Sequence, residues 1–223
     1  LVRSRGLGDV YKRQVEEQGS IESLSVRGVV SVSDSADTTT GGIVGVNHGT
    51  LINCQFTGVV TGDSEVGGIV GRNESEGTID HGTARAIVTG KSSTGGIAGY
   101  NLGAITGCTN VGSINTEYPE ASLDTDGFTA KMVDYINNKM AAADNDATNS
   151  VTNVATDTGG IAGRSSGMIL TSVNTGTIGY EHVGYNVGGI VGRTDGLVSG
   201  CVNQGRVLGR KDVGGIAGQA EPY

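Results

Sequence analysis

The chain has few aromatic residues and no long apolar segment. It contains 223 residues with no tryptophan, and aromatic residues make up 4% of it. Because nucleic bases are commonly held by stacking on aromatic rings, the composition predicts neither a base-stacking platform nor a large aromatic sugar groove. No run approaches the roughly 18 apolar residues that a spanning helix requires, so we expect no membrane insertion.

Positive charge is also scarce. The chain carries 15 lysine and arginine residues against 23 aspartate and glutamate residues, a formal net charge of −8 at pH 7. A surface of this sign does not favour DNA, RNA or an anionic bilayer. The sequence therefore predicts no nucleic-acid partner.

Glycine, in contrast, is abundant, and much of it belongs to a repeat. There are 40 glycines, and the tripeptide Gly-Gly-Ile, followed by Val or Ala and then Gly, occurs six times. The copies start at positions 41, 67, 95, 159, 188 and 214, so four spacings are 26 to 29 residues and one is 64. A fixed period of this length is typical of a repeat protein, and the long spacing indicates one unit plus an insertion.

A second block follows at a fixed offset from each glycine motif, and its residues align in columns mostly two positions apart. The first aliphatic column comprises Ile21, Leu51, Ile79, Ile105, Ile169 and Val198. The last aliphatic column comprises Val30, Val60, Val88, Ile114, Ile178 and Val207. Because side chains two residues apart share one face of a strand, the spacing predicts β-strands.

These features predict an all-β fold, a parallel β-solenoid (β-helix) of about six coils of 26 to 29 residues with one helical insertion. One coil cannot bury its own apolar residues, but stacking coils about 4.8 Å apart turns each column into a continuous interior ladder. Leucine-rich and helical repeats are the competing architectures, and the glycine, threonine and valine content disfavours helix. We expect about three short strands in each coil.

The chain divides into four segments. Residues 1–14 share nothing with the repeat and resemble a translated sequencing adapter, so we treat them as non-native. They hold four basic residues and Asp9, so the rest has 11 basic and 22 acidic residues, a net charge of −11. Residues 15–114 and 159–223 are solenoid coils, the second group truncated, and residues 115–158 form the insertion. Because both ends look cut, we expect the chain to be a fragment of a longer solenoid. Flanking coils of the parent chain would then be its neighbours.

The insertion contains a helical pattern. Phe128, Met132, Ile136 and Met140 recur every four residues, which predicts an amphipathic helix over about 127–143. Two interpretations stay open. The apolar face packs on the outer wall of the solenoid, or it contacts a partner, because insertions into repeat proteins often form the binding face.

The cysteines provide a test of the solenoid prediction. Cys54, Cys108 and Cys201 fall in one column and never in adjacent coils. Two coils span about 9.6 Å, beyond the roughly 7 Å between Cα atoms that a disulfide tolerates, so we expect buried free thiols. A catalytic thiolate requires a nearby histidine, and we predict no nucleophile because all three histidines lie in presumed turns. These histidines are His48, His81 and His182.

Asparagine occupies two further columns. The first, in coils that become successive once the insertion is looped out, comprises Asn110, Asn174 and Asn203. We expect its amides to hydrogen-bond along the stack. The second, which lies between glycines, comprises Asn47, Asn73 and Asn101, followed by Ser165 and Thr194. We expect a turn with left-handed backbone there, and interpret both columns as structural.

Two weaker patterns could hold an ion. Residues 124–126 and 144–146 resemble parts of a calcium loop but lack its spacing and terminal glutamate, so we predict no metal site. The sixth position of the repeat places Arg164 and Arg193 one above the other. Like charges this close are unfavourable unless an anion lies between them. Acidic glycan binding is one interpretation, and solvated side chains neutralised by neighbours such as Asp195 are the other.

The repeat resembles a known family. Gly-Gly-Ile-Val-Gly-Val-Asn-His-Gly-Thr-Leu-Ile-Asn-Cys at 41–54 and Gly-Gly-Ile-Ala-Gly-Tyr-Asn-Leu-Gly-Ala-Ile-Thr-Gly-Cys-Thr-Asn-Val-Gly at 95–112 resemble the GLUG repeat of bacterial surface proteins. The resemblance covers residues 21–114 and 159–218. It implies large secreted or wall-attached adhesin-like proteins, or non-catalytic portions of immunoglobulin-A-cleaving metallopeptidases. It carries over no catalytic residue.

We therefore expect a non-catalytic, extracellular, structural or adhesive segment of a bacterial surface protein. No catalytic, cofactor-binding or metal-binding residue and no cofactor is predicted, and the expected ligand is an unidentified host protein or glycan. One alternative is a positioning module of a secreted metallopeptidase of the immunoglobulin-A type. A less favoured one is a polysaccharide-acting β-helix enzyme, which needs carboxylates clustered on one wall.

Overall fold

A computed structural model describes residues 14–16, 19–32, 38–116, 155–181 and 183–222 of the chain. Their strands pair in parallel with the equivalent strands of neighbouring coils. The fold is a parallel β-solenoid of about six turns, which confirms the predicted architecture. The described residues contain no helix, and the helix predicted over 127–143 lies outside them.

Each complete coil contributes to four sheets, one more than the three strands expected from the sequence. Sheet A consists of Gln14–Val15, Val44–Asn47, Val70–Asn73, Ala98–Asn101, Ala162–Ser165, Val191–Thr194 and Ala217–Ala220. Sheet B consists of Ser20–Glu22, Thr50–Ile52, Thr78–Asp80, Ala104–Thr106, Met168–Leu170 and Leu197–Ser199. Sheet C consists of Ser25–Ser31, Gln55–Thr61, Thr83–Thr89, Thr109–Asn110, Val173–Asn174 and Val202–Asn203, with Ser113–Ile114 paired to Thr83–Thr89. Sheet D consists of Thr40–Gly41, Ser64–Gly67, Ser92–Gly95, Thr156–Gly159, Tyr185–Gly188 and Lys211–Gly214.

The Gly-Gly-Ile motif is the corner that separates sheets D and A. A strand of sheet D ends at the first glycine, and sheet A resumes three residues later. A Cβ at Gly67 would lie 1.9 Å from the carbonyl oxygen of Val70, and one at Gly68 would lie 2.1 Å from that of Gly96. No side chain fits at such distances, so the motif makes a tight bend. The expectation of three strands was wrong because the motif divides one apparent strand into two.

The columns read from the sequence are the hydrogen-bonded registers of the structure. Ile79 pairs with Leu51 and with Ile105 in sheet B, and all three are fully buried. Ile105 pairs directly with Ile169, so the coils on either side of the insertion are adjacent. The stack resumes at Thr156–Gly159, slightly before the predicted boundary at residue 159, because these residues form the sheet D strand that leads into the glycine corner.

Two further corners hold left-handed backbone in vertical columns. The corner between sheets B and C contains Ser23, Asn53, His81, Gly107, Thr171 and Gly200, all with positive φ. The corner within sheet D contains Glu65, Ser93, Asp157, Asn186 and Asp212, also with positive φ. Glycine and asparagine suit this conformation, whereas Thr171, at a φ of 47°, is β-branched and strained.

The core is narrow, so the second glycine of the first five motifs faces a side chain from sheet C across the coil. A Cβ at Gly42 would lie 2.5 Å from the ring of Phe56, and one at Gly96 would lie 2.5 Å from the side chain of Asn110. Both sheet C side chains are fully buried. The space inside each coil is thus shared between a glycine and one larger residue.

Candidate functional site

The sixth position of the repeat forms an outward ladder along sheet A. The sheet A ladder comprises Val46, Arg72, Tyr100, Arg164, Arg193 and Gln219. Each member pairs in register with the next, as the sequence predicted for Arg164 and Arg193. Its residues are neither fully buried nor fully exposed, so the ladder combines fixed side chains with access to solvent.

Tyr100 is held between two arginines of this ladder. The guanidinium carbon of Arg72 lies 4.8 Å from the ring centroid, and that of Arg164 lies 5.2 Å from it. Both distances are within the range of cation–π attraction. Sequence reasoning missed this stack, although an aromatic residue between two arginines in one column was the available signal.

Carboxylates neutralise the arginines on either side of this centre. Arg72 forms ion pairs with Glu65 at 2.6 Å and with Glu74 at 2.7 Å. Burial lowers the pKa of Arg72, but the hydrogen bond to Glu74 and the charges of both carboxylates outweigh it and raise the pKa overall. Arg193 pairs with Glu221 at 2.5 Å, and this hydrogen bond is the main cause of its raised pKa. Asp195, the partner suggested by the sequence, contributes a weaker charge effect.

Arg164 differs from the other two ladder arginines. Arg72 pairs with Glu65, which lies seven residues before it. The equivalent position, seven residues before Arg164, holds Asp157. Asp157 has a shorter side chain and accepts a hydrogen bond of 2.6 Å from Asn186 instead. Within the described ranges Arg164 has no ion pair, and its guanidinium contacts the Tyr100 ring.

The asparagines of sheet A form a buried ladder. Asn47 donates to Asn73 at 2.7 Å, Asn73 donates to Asn101 at 2.8 Å, and Asn101 donates to Ser165 at 3.0 Å. All four residues are fully buried at the ends of strands. The expectation of left-handed backbone here was wrong, because the asparagines have no positive φ and are instead held by their amides.

The second asparagine column is confirmed as an amide ladder. Asn110 donates to Asn174 at 2.8 Å, and Asn174 donates to Asn203 at 2.8 Å. The first bond joins residues 64 apart in the chain and crosses the insertion. Like the sheet A asparagines, these side chains hydrogen-bond to one another along the stack.

The cysteines are free, as predicted, and two of them are buried. Cys54 and Cys108 lie in the core, and Cys201 is half-buried. Burial raises the pKa of the Cys108 thiol to about 12. His81 contacts Asp80 at 2.9 Å rather than a thiol, and His182 lies outside the described residues.

The described ranges contain no cluster of three or more His, Cys, Asp or Glu side chains that could hold a metal ion. The aspartate patterns at 124–126 and 144–146 lie outside those ranges. No helix long and apolar enough to cross a membrane occurs in the part of the chain that the structure describes.

Comparison of the chain with protein-family models, with curated proteins and with solved structures finds no match. The resemblance to the GLUG repeat therefore stays a prediction.

Proposed function

We propose that the chain is a non-catalytic structural or adhesive β-solenoid segment of an extracellular bacterial surface protein. The observation that carries the proposal is the continuity of the stack. Strands of sheet A pair in order through seven coils or part-coils, and two interior amide ladders run parallel to them. Such a structure keeps a fixed distance and orientation between its two ends.

The distribution of polar groups supports the same proposal. Each column repeats along the axis, so equivalent side chains form rows rather than converging on one point. Two of the three arginines of the sheet A ladder form ion pairs with carboxylates outside the ladder. Rows of this kind suit the presentation of a surface to a long ligand or to a neighbouring wall.

The resemblance to the GLUG repeat supports the extracellular location. Repeats of this type occur in secreted and wall-attached proteins, and the acidic composition is compatible with a solvated, self-repelling surface. All three cysteines are free, so no disulfide holds the fold together. Folding therefore does not require an oxidising compartment.

The proposal is tested with beads that carry the whole chain. The beads are exposed to surfaces coated with neutral polysaccharides, acidic polysaccharides, extracellular-matrix proteins and immunoglobulin A, and the supernatants are analysed for cleavage products. We expect retention without cleavage on at least one of the polysaccharide or extracellular-matrix surfaces. Cleavage of a polysaccharide would support the enzyme alternative, and retention on immunoglobulin A alone would support a positioning module of a peptidase. Either result would overturn the proposal.

A further inference from the structure

We propose that the sheet A ladder binds a carboxylate of an acidic glycan, of the uronic-acid class, at Arg164. The inference rests on the proposed adhesive function and names the ligand class for it. The first step is the charge balance of the ladder. Arg72 and Arg193 each have a carboxylate partner within 2.7 Å, whereas Arg164 has none within the described ranges.

The second step is the orientation of the Arg164 guanidinium. The guanidinium carbon of Arg164 lies 5.2 Å from the centroid of the Tyr100 ring, and that of Arg72, on the strand at the other side of Tyr100, lies 4.8 Å from it. An arginine stacked on an aromatic ring keeps its planar fork of donors in a fixed plane. A fixed fork suits the paired oxygens of a carboxylate, since little side-chain freedom is lost on binding.

The third step is the position of Arg193. It pairs in register with Arg164 on the next strand, so two guanidinium groups stand on neighbouring rungs of one sheet. Like charges in such a position are unfavourable, and an anion beside them removes the penalty. Glu221 accepts a hydrogen bond from one terminal nitrogen of Arg193, and Asp157 and Asp195 act on Arg193 through their charges. None of the three forms an ion pair with Arg164, so the donors of Arg164 stay available to a ligand carboxylate.

Hydroxyl groups beside Arg164 favour a sugar. The hydroxyl of Tyr100 and that of Ser166 lie 3.3 Å apart, and both belong to the strands or turns that flank Arg164. A hydroxyl both donates and accepts hydrogen bonds, so the pair can exchange its mutual bond for bonds to the hydroxyls of a sugar ring. Gln219, one rung beyond Arg193, adds an amide to the same row.

The same geometry disfavours other polyanions. The strand Ala162–Ser165 is hydrogen-bonded to a neighbour on each side, so a peptide cannot add to it as a further strand. Single-stranded nucleic acids are commonly held by bases stacked on an open aromatic ring, and the Tyr100 ring already contacts two arginines. An acidic glycan needs neither an edge nor an aromatic face.

The experiment measures binding of a hexamer of galacturonic acid to the whole chain at low salt, because screening weakens contacts between exposed charges. Its fully methyl-esterified form and hexaglutamate are the reference ligands. We expect the free acid to bind, the ester and the peptide to bind at least about tenfold more weakly, and Arg164→Gln to weaken binding of the acid by about tenfold or more. Arg85→Gln is the matched control, since it removes the same charge from an exposed position on sheet C.

Absence of binding to the acid, equal binding of the ester or of hexaglutamate, or equal effects of Arg164→Gln and Arg85→Gln would each overturn the site. Circular dichroism of both variants confirms that the fold is kept. Retention of the beads on other surfaces, with no binding of the uronate, would remove this site and leave the proposed function standing. Absence of retention on every surface would count against both.

Discussion

The coils before the insertion and the coils next to it fill the same interior column of sheet C in different ways. Before the insertion the column holds Val26, Phe56 and Ala84, and the strands of sheet C are seven residues long. From the coil that carries the insertion onward the column holds Asn110, Asn174 and Asn203, and the strands shrink to two residues. The backbone register of the column is continuous through the change.

The side-chain amide explains the shorter strands. Asn174 accepts a hydrogen bond from the backbone nitrogen of Gly176 at 3.1 Å and donates to its carbonyl oxygen at 3.1 Å. The asparagine thus uses backbone groups that a longer strand would pair with its neighbours, and the strand stops. The two parts of the column show that space limits which residues it can hold. They also show that a polar side chain fits there only where another amide hydrogen-bonds to it.

The largest expected effect comes from placing asparagine in the apolar half. Phe56→Asn would leave a cavity and an amide with no amide partner above or below it. We expect unfolding to be easier by about 5 kcal/mol or more, the sum of a lost aromatic side chain and an unsatisfied buried group. Urea denaturation followed by circular dichroism measures the change. Phe56→Leu is the control and should cost much less; an equal cost for the two variants would show that polarity is irrelevant in this column.

The reverse substitution breaks the polar half. Asn174→Leu would leave the Asn110 donor and the Asn203 acceptor without their partners. We expect a loss of about 2–4 kcal/mol in the free energy of unfolding, since each unsatisfied buried group costs about 1–3 kcal/mol. Asn203→Leu, at the half-buried end of the ladder, removes one amide bond and should cost about half as much. A gain of stability in Asn174→Leu would contradict the amide ladder.

The cysteine column beside the asparagines predicts that the stability of the fold depends on pH. The folded state holds the pKa of Cys108 at about 12, whereas an unfolded cysteine ionises near about 8.5. Between these values only the unfolded state loses its proton, so stability should fall with rising pH by up to about 1.4 kcal/mol per unit. Below about pH 8.5 this contribution should be constant. Comparison with Cys108→Ala isolates the effect, and parallel pH profiles for the two proteins would refute burial of the thiol.

The smallest expected effect lies at the corner between sheets B and C. Thr171 adopts a φ of 47°, where Gly107 and Gly200 occupy the same column. Thr171→Gly relieves left-handed strain of about 1–2 kcal/mol but adds flexibility to the unfolded chain, so we expect a net gain of about 0.5–1 kcal/mol. Thermal unfolding measures it. Ser25→Gly, on an exposed strand position, is the control and should destabilise.

The fold was largely predictable because the repeat displays its register directly. Aligning Ile79 with Ile105 and Ile169 was enough to predict that the insertion leaves the stack and returns to it. The fourth strand was not predictable from spacing, since a bend at Gly67 and Gly68 depends on close backbone contacts rather than on a change of period.

The candidate site was only partly predictable. The column placed Arg164 above Arg193, but the contact of Arg164 with the Tyr100 ring depends on side-chain conformation. Asp157 pairs with Asn186 rather than with Arg164, and this difference depends on the length of one side chain. The role of Asn73 was missed for a related reason. Asparagine between glycines is typical of a turn, and only the burial of the column shows that its amide must be satisfied by its neighbours.

The most direct test of the stack is a cross-link across the insertion. Thr109 and Val173 pair in register although 64 residues separate them, so the variant Thr109→Cys with Val173→Cys, in a Cys201→Ser background, should form a disulfide on mild oxidation. The shifted pair Thr109→Cys with Thr171→Cys is the control. Cross-linking of the first pair alone, with the circular dichroism spectrum of the uncross-linked protein, is the predicted result. Cross-linking of the shifted pair alone, or of neither pair, would contradict the continuous solenoid.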